Sequence, residues 1–276
     1  MIINASGRTD ICAFYSKWFI DKIEKGFVDV KNPFFPNLIK RIYLNKENID
    51  AIVFCTKNPI PMIKYMNKLQ DYFTIFHVTI TPYKSDIEPN VKNKNNIIKS
   101  VIYLSNLIGK GRIFLRYDPI IINEKYSVEY HAKAFERLIK VLGKYVNRVI
   151  ISFVDIKKNT RNHNIRELSL EEIYLIADLF GKIGKKYNVI IQMCAEKYDL
   201  SKYGIINESC LSPVIFYNLT GKIVKEKNKN RINCNCIKSI DIGFYNSCMH
   251  LCKYCYANYD ECNVKNNYLK INKEEW

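Results

Sequence analysis

The stretch SIDIGFYNSCMHLCKYCYAN, residues 239–258, joins an apolar run to three closely spaced cysteines. Its first seven residues are predicted to form a β-strand, and the residues from Ala257 onward a short helix. Between them the spacing is C-x3-C-x2-C, given by Cys248, Cys252 and Cys255, with Tyr254 directly before the third cysteine. A strand, a cysteine-bearing loop and a helix therefore come last in the chain, and the rest of the fold is interpreted around this unit.

Three thiolates this close together can hold three irons of a four-iron cluster. Because such clusters normally take four thiolates, one iron would stay open for another ligand. The spacing and Tyr254 resemble the cysteine motif of the radical SAM superfamily, and Cys-Met-x-x-Cys-x-Tyr-Cys-Tyr also resembles the spore photoproduct lyase group. This resemblance implies a [4Fe-4S] cluster on Cys248, Cys252 and Cys255, S-adenosylmethionine (SAM) on the open iron, and Tyr254 against the adenine.

The radical SAM resemblance also implies a reaction. One electron from the cluster breaks a C–S bond of SAM, and the 5′-deoxyadenosyl radical abstracts hydrogen from a substrate. The electron would come from an external donor of the flavodoxin or ferredoxin type. Over nearly its full length the chain is similar to the DUF1848 family, through Ser6-Gly7-Arg8-Thr9-Asp10, Thr56-Lys57-Asn58-Pro59, Arg116-Tyr117-Asp118-Pro119, Cys194-Ala195-Glu196 and Cys234-Asn235-Cys236. That similarity implies no particular substrate.

Length and composition indicate one large domain, or one domain with a small appendage, in 276 residues. No apolar run approaches the length of a membrane-spanning helix, and the N-terminus shows no signal-peptide pattern. We therefore expect a cytoplasmic protein with no membrane partner. In a reducing compartment, the ten cysteines are expected to bind metal or do chemistry rather than to form disulfides.

Short apolar runs alternate with amphipathic stretches, which favours a parallel α/β architecture. The predicted strands cover residues 2–6, 51–56, 73–81, 112–117, 148–154 and 189–193. Six such βα units favour a partial (β/α)6-type TIM barrel over an open doubly wound sheet. No glycine-rich dinucleotide or P-loop motif is present.

The late position of the cysteine unit predicts a circular permutation. In the radical SAM superfamily this unit opens the barrel, whereas here it ends the chain. Because a barrel closes on itself, the last strand is expected to pair beside the first. The predicted organisation is a set of βα barrel units in 1–196, an irregular cysteine-containing segment in 197–238, and a barrel-completing unit in 239–276. The alternative is that the last unit is a separate metal-binding tail.

Polar residues follow the predicted strands in nearly every unit, where parallel βα barrels carry their chemistry. They are Asn4, Ser6, Arg8, Asp10, Thr56, Lys57, Asn58, Thr79, Thr81, Arg116, Asp118, Ser152, Asp155, Gln192, Cys194 and Glu196. Arginine suits a carboxylate, and acids or amides suit hydroxyls and ammonium groups. Among them, we expect Arg116, Asp118 and Asp10 to act in catalysis. We expect Ser6, Arg8, Lys57, Asn58 and Glu196 to contact SAM. The pattern alone does not show which of these strand-end residues bind SAM and which bind substrate.

A second metal site is predicted from Cys234 and Cys236, together with Cys194 at a strand end and Cys210 in the segment before them. Four thiolates fully ligate an iron–sulfur cluster, so we expect a second, auxiliary [4Fe-4S] cluster on these residues. Zinc on the same four cysteines is the main alternative.

The formal charge of +16 favours polyanionic partners. Lysine and arginine are spread along the chain, with one denser run over residues 222–231. A nucleic-acid base is therefore one candidate substrate, with a peptide or small metabolite nearly as well supported. Two other classes stay open. One is a zinc-stapled nucleic-acid-binding protein without catalysis, in which His250 or Cys262 completes the late site, and the other is an iron–sulfur electron carrier.

Overall fold

Strands alternate with helices along the chain in the computed structural model, which describes residues 1–35, 37–156, 160, 165–194, 196–227 and 234–273. The strands are β1 (Ile2–Asn4), β2 (Phe27–Lys31), β3 (Ile39–Tyr43), β4 (Ala51–Thr56), β5 (Thr74–Thr79), β6 (Ile113–Ile120), β7 (Arg148–Phe153), β8 (Ile191–Met193), β9 (Ile205–Asn207) and β10 (Ile240–Asp241). The helices are α1 (Ile11–Phe14), α2 (Ser16–Lys25), α3 (Ile60–Ile63), α4 (Lys94–Ile108), α5 (Val128–Leu142), α6 (Leu170–Tyr187), α7 (Pro213–Thr220) and α8 (Glu261–Asn272). None of these helices has the length and apolarity needed to span a membrane.

The main sheet has eight strands in the order β10-β1-β4-β5-β6-β7-β8-β9, and each neighbouring pair is parallel. The predicted α/β class with a parallel sheet is therefore confirmed. The late strand β10 pairs with β1, with Ile240 opposite Ile3 and Asp241 opposite Asn4. From β1 to β9 the order runs in one direction, so right-handed crossovers place successive connecting helices on one face of the sheet.

The two faces of the sheet bury different sets of side chains. The larger core includes helical residues such as Phe19, Phe135 and Phe180, and so lies between the sheet and the connecting helices. On the opposite face, α7 contributes Ile215 and Phe216 to a smaller cluster, which also contains Ile75, Phe114 and Ile150. We call this second surface the α7 face. Toward the carboxyl ends of the strands, the α7 face is formed by polar residues.

Two regions depart from the expected organisation. Residues 26–50 received no predicted element, yet β2 and β3 form an antiparallel hairpin there. Residues 197–238 were predicted to be irregular apart from a short helix near residues 214–219, which α7 matches, yet they also contain β9, which extends the sheet by pairing with β8. A strand of three residues gives too short a pattern for periodicity to detect.

Local chemistry explains where several helices begin. Ser169 caps α6 by accepting a hydrogen bond from the Glu172 amide, and the Glu172 side chain accepts one from the Ser169 amide. This reciprocal capping box confirms the predicted helix start. Asn93 and Ser127 cap α4 and α5 in the same way, through side-chain oxygens that accept backbone amides.

His131 of α5 predicts a measurable acid sensitivity. Its side chain is buried, Nδ1 lies 2.9 Å from the Tyr117 hydroxyl, and Nε2 lies 2.8 Å from the Ile121 carbonyl oxygen. Burial lowers the pKa of His131 from 6.5 to about 4. The unfolded chain therefore binds the proton first as the pH falls through this window. We expect His131 to reduce the free energy of unfolding by up to about 1.4 kcal/mol per pH unit between pH 6.5 and 4.

Denaturant titrations of the wild type and His131→Gln across pH 4–7 measure this slope. The variant should start less stable and lose stability less steeply with acid, because its side chain does not titrate. Equal slopes in the two proteins would show that His131 does not carry the effect.

Candidate metal centres and active site

Asp241 of β10 fastens the first loop of the chain to the last strand. Its Oδ1 accepts hydrogen bonds from the Ser6 hydroxyl at 2.7 Å and the Gly243 amide at 2.8 Å, and its Oδ2 accepts one from the Gly7 amide at 2.8 Å. Arg8 Nε lies 3.5 Å from the same carboxylate. Ser6 and Arg8, predicted to contact SAM, therefore sit beside the strand that leads into the cysteine loop.

The cysteine loop, residues 246–258, is docked against the sheet edge. The buried Tyr15 hydroxyl donates to the Ser247 carbonyl oxygen at 2.6 Å, and Asn90 Nδ2 donates to the Met249 carbonyl oxygen at 2.9 Å. These contacts come from α1–α2 and from the loop after β5, two separate parts of the chain. The loop thus belongs to the packed structure rather than to a detached tail.

Asp10, predicted to be catalytic, lies at the junction of three segments. Its Oδ1 caps α1 by accepting the Ala13 amide at 2.9 Å. Its Oδ2 accepts the Lys57 amide at 2.7 Å and lies 2.9 Å from His250 Nε2 within the cysteine loop. Both Asp10 and His250 are buried. The carboxylate therefore positions the cysteine loop relative to the end of β4.

The buried carboxylate of Glu88 contacts two lysine side chains beside the cysteine loop. Its oxygens lie 2.8 Å from Lys57 Nζ and 2.7 Å from Lys94 Nζ, and Thr81 Oγ1 donates to it at 2.5 Å. Tyr254 also donates its phenolic hydrogen to Glu88. Burial alone would raise the pKa of Glu88, but the two lysines lower it to about 2. The group is therefore an anion held between two cations.

The thiols of Cys248, Cys252 and Cys255 are half-buried in the loop and lie close enough to interact electrostatically. They do not form a compact set, since among the described residues the cysteines whose sulfurs all lie within 4.8 Å of one another are Cys194, Cys210 and Cys236. Burial raises the pKa of Cys252 to about 12, against the opposing charge of Lys57. A cation thus lies next to a thiol that must lose its proton to bind metal.

Arg116 and Asp118 form an ion pair within β6, on the α7 face. Arg116 Nε donates to Asp118 Oδ2 at 2.9 Å, and the Ser152 hydroxyl donates to the other carboxylate oxygen. Burial works against the charge of Arg116, but Asp118 raises the pKa of its guanidinium well above the usual value, with a further contribution from the Cys210 and Cys194 thiols. The predicted catalytic pair therefore borders the second cysteine group.

The second cysteine group brings together residues that are far apart in the chain. The sulfurs of Cys194, Cys210 and Cys236 all lie within 4.8 Å of one another, and Cys210 Sγ is 3.2 Å from Cys236 Sγ. Cys234 is close enough to Cys210 and Cys236 to interact with them electrostatically. A cavity of about 210 Å³ opens beside them, lined also by Cys234, Asn207, Glu208, Ser209 and Asn235. The structure thus gathers three of the four cysteines that the sequence grouped and places the fourth, Cys234, at the cavity beside them.

Asn58 and Glu196, two further predicted SAM contacts, are engaged with backbone amides. Asn58 Oδ1 accepts the Ile60 amide at 3.3 Å, at the start of α3. Glu196 Oε1 accepts the Phe153 amide at 2.8 Å, at the end of β7. In these contacts both side chains stabilise strand-end loops.

Sequence reasoning missed several groups that shape the site. Glu88 and Lys94 lie in loop and helix positions with no motif around them, and Asp241 was treated only as a strand residue. His77 of β5 was also missed. It is buried and stacked on Phe114, and neither of its ring nitrogens has a hydrogen-bond partner among the described residues. A histidine alternating with apolar residues in a strand was the only available signal.

The dense basic run lies only partly within the described residues. Lys222 forms an ion pair with Asp50 at 2.7 Å, whereas residues 228–233, which include Lys229 and Arg231, lie outside the described part of the chain. The predicted basic run is therefore described only over residues 222–227.

Comparison with known proteins identifies the family. A family model described as "Domain of unknown function (DUF1848)" matches residues 2–257. The chain belongs to the DUF1848 family. The DUF1848 match spans the sheet, the second cysteine group and the cysteine loop. No curated relative matches the chain.

One solved structure is similar at a low level. It is a presumed alpha-L-fucosidase from Bacteroides thetaiotaomicron VPI-5482, with 12% identity and a TM-score of 0.27, covering 94% of this chain and 87% of that one. Similarity at this level carries no argument about the fold or activity of the DUF1848 chain.

Proposed function

We propose that this protein is a radical SAM enzyme whose [4Fe-4S] cluster is held by Cys248, Cys252 and Cys255. The observation that carries the proposal is the position of these cysteines. They follow β10 at the carboxyl edge of a parallel sheet, and Cys252 lies near the half-buried cation Lys57. In parallel βα folds this edge carries the chemistry.

The donor set fits a four-iron cluster better than a single ion. Three thiolates bind three of the four irons and leave the fourth iron open. In the described part of the chain, the sulfurs of this trio are not all within 4.8 Å of one another. In a cluster each thiolate binds a different iron, which requires wider separation than ligands that share one ion. Lys57 also favours the anionic form of Cys252 that binds iron.

With SAM bound, the cluster would supply one electron for reductive cleavage and so provide the radical that abstracts hydrogen from the substrate. The other roles belong to this chain. Ser6 and Arg8 border the loop and are proposed to hold polar groups of SAM. Tyr254 is fixed by its hydrogen bond to Glu88, and we propose that its ring lies beside the adenine.

We assign the substrate to the α7 face near Arg116 and Asp118. Lys57 interacts electrostatically with Asp118, so the charged groups of the two cysteine sites are close to one another. Asp10 acts as a positioning residue, because its carboxylate is already shared by α1, Lys57 and His250. A buried ion pair at this place can orient a polar substrate and exclude water. The substrate stays open, with a nucleic-acid base as one candidate.

We further propose that the sheet is a permuted partial TIM barrel. The strand order runs in one direction from β1 to β9, with no reversal of the kind that defines a doubly wound sheet. The late strand β10 lies beside β1, where the first strand of an unpermuted barrel would be. We propose a cytoplasmic location and a flavodoxin- or ferredoxin-type electron donor.

Anaerobic reconstitution tests the function. We expect the wild type, reduced with dithionite in the presence of SAM, to yield 5′-deoxyadenosine and to hold about four irons at the late site. Cys252→Ala should lose this iron and produce no 5′-deoxyadenosine. Cys262→Ala is the matched control, because Cys262 is an exposed thiol on α8.

Other outcomes would identify the remaining candidates. A brown protein that leaves SAM intact would be an electron carrier. Zinc at the late cysteines, with nucleic-acid binding that weakens steeply with salt, would indicate a zinc-stapled binding protein. Identical SAM cleavage by the wild type and Cys252→Ala would exclude the proposed role of the trio.

A further inference from the structure

We propose that Cys194, Cys210, Cys234 and Cys236 bind a single tetrahedral ion of the zinc type, and not the auxiliary four-iron cluster expected from the sequence. This site does not depend on the proposed radical SAM activity, since it shares no ligand with the late cysteine trio.

The spacing of the sulfurs carries the inference. Cys194, Cys210 and Cys236 have all their sulfurs within 4.8 Å of one another, and the Cys210–Cys236 pair is separated by 3.2 Å. Tetrahedral zinc binds thiolates at about 2.3 Å, which places the sulfurs about 3.8 Å apart. Thiolates on a four-iron cluster each bind a different iron and are therefore spread over the width of the cluster. The sulfurs of Cys194, Cys210 and Cys236 are therefore as close together as three ligands of one ion.

Cys234 supplies the fourth ligand. It lies two residues before Cys236, and its thiol is close enough to Cys210 and Cys236 to interact with them electrostatically. Both residues also line the cavity of about 210 Å³ that opens beside the group, which provides a path by which an ion can enter. Four cysteines with no open position form the closed type of zinc site, whose role is structural.

The surroundings suit a site with net negative charge. Four thiolates around a divalent ion carry two excess negative charges, and burying charge requires a compensating partner. Arg116 is such a partner, because Cys210 and Cys194 both act electrostatically on its guanidinium. The site would therefore also hold Arg116 in place beside Asp118.

The ligands join separate parts of the fold. Cys194 follows β8, Cys210 precedes α7, and Cys236 lies before β10. An ion shared by them would fasten the segment that carries β9 and α7 onto the α7 face of the sheet. The ion would add to the apolar packing of Ile215 and Phe216, which already holds α7 against the sheet.

Metal analysis of the full chain as purified, before any iron reconstitution, tests the inference. We expect about one zinc per chain in the wild type and in Cys252→Ala, and at least a tenfold loss of zinc in Cys210→Ser. Cys262→Ser is the matched control and should retain the metal. After reconstitution, Cys210→Ser should still take up about four irons at the late site. Because Cys210→Ser could fail to fold, Cys234→Ser at the rim of the cavity serves as a second variant.

Cobalt substitution gives a readout that needs no variant. Co²⁺ in the wild-type site should show the intense visible bands of tetrahedral thiolate coordination. Loss of about four irons in Cys210→Ser, with no zinc in the wild type, would overturn the inference in favour of a cluster. A wild type that binds neither metal would also overturn it. Failure of SAM cleavage alone would leave the zinc result unchanged, so the two proposals fail separately.

Discussion

Glu88→Gln is expected to lower the free energy of unfolding by about 3 kcal/mol, because it removes a buried anion that lies between two half-buried cations. The Glu88 side chain is 1% exposed, and those of Lys57 and Lys94 are 12% and 26% exposed. Glutamine keeps the size of the side chain, but leaves both ammonium groups without their carboxylate partner. The hydrogen bond from Tyr254 would also lose its charged acceptor. Denaturant unfolding at pH 7 measures the loss.

The pH dependence separates the charge from the packing. The pKa of Glu88 is lowered in the folded state from 4.5 to about 2. Its contribution is therefore complete above pH 4.5 and disappears as the pH falls toward 2. The difference between the wild type and Glu88→Gln should shrink over that window. Glu226→Gln is the control, since its ion pair with Lys238 is exposed and should contribute little. Equal losses in the two variants would contradict the account of Glu88.

Periodicity was sufficient to predict the strands that are buried on both faces. The β4 sequence Ala-Ile-Val-Phe-Cys-Thr is a short, nearly continuous apolar run, and β5 and β7 are similar. Such runs are typical of parallel strands that are buried on both faces. The same reasoning missed β9, because Ile205–Asn207 has a single fully buried position and gains its order from pairing with β8. The hairpin β2–β3 carries charged residues in both strands, which weakened its apolar pattern.

The cysteine ligands of the candidate site could be predicted from the sequence, whereas its buried ion pairs could not. Cys194 and Cys236 are 42 positions apart in the sequence, yet the expectation that cysteines bind metal was enough to group them without a structure. Glu88 acquires its role only because the fold brings Lys57 from β4 and Lys94 from α4 to the same point. An isolated glutamate in a loop sequence carries no such information. The partners of a buried charge are fixed by tertiary structure, not by spacing.

Gly243→Ala is expected to separate the late unit from the rest of the fold, at a cost of about 3 kcal/mol in the free energy of unfolding. A Cβ at Gly243 would lie 1.9 Å from the Ser6 hydroxyl oxygen and 2.5 Å from the Ser6 Cβ. Rotating the serine side chain can relieve the first contact but not the second, because the position of Cβ is fixed by the backbone. Either β10 or the loop after β1 must therefore move, and the hydrogen bonds of Asp241 to both would be strained.

Gly111→Ala is the matched control, because the added methyl group would meet Leu219 at an ordinary 3.7 Å. Thermal unfolding and limited proteolysis of both variants measure the effect, with cleavage expected between residues 239 and 260 only in Gly243→Ala. If the late unit were an independent tail, Gly243→Ala would unfold like the control and show no new cleavage. If Gly243→Ala alone loses both stability and protection from proteolysis, the segment after β10 must pack on the first loop. This test is independent of any cofactor, because the clash involves only the Cβ added at Gly243, two residues after β10, and the side chains of Ser6 and Thr9.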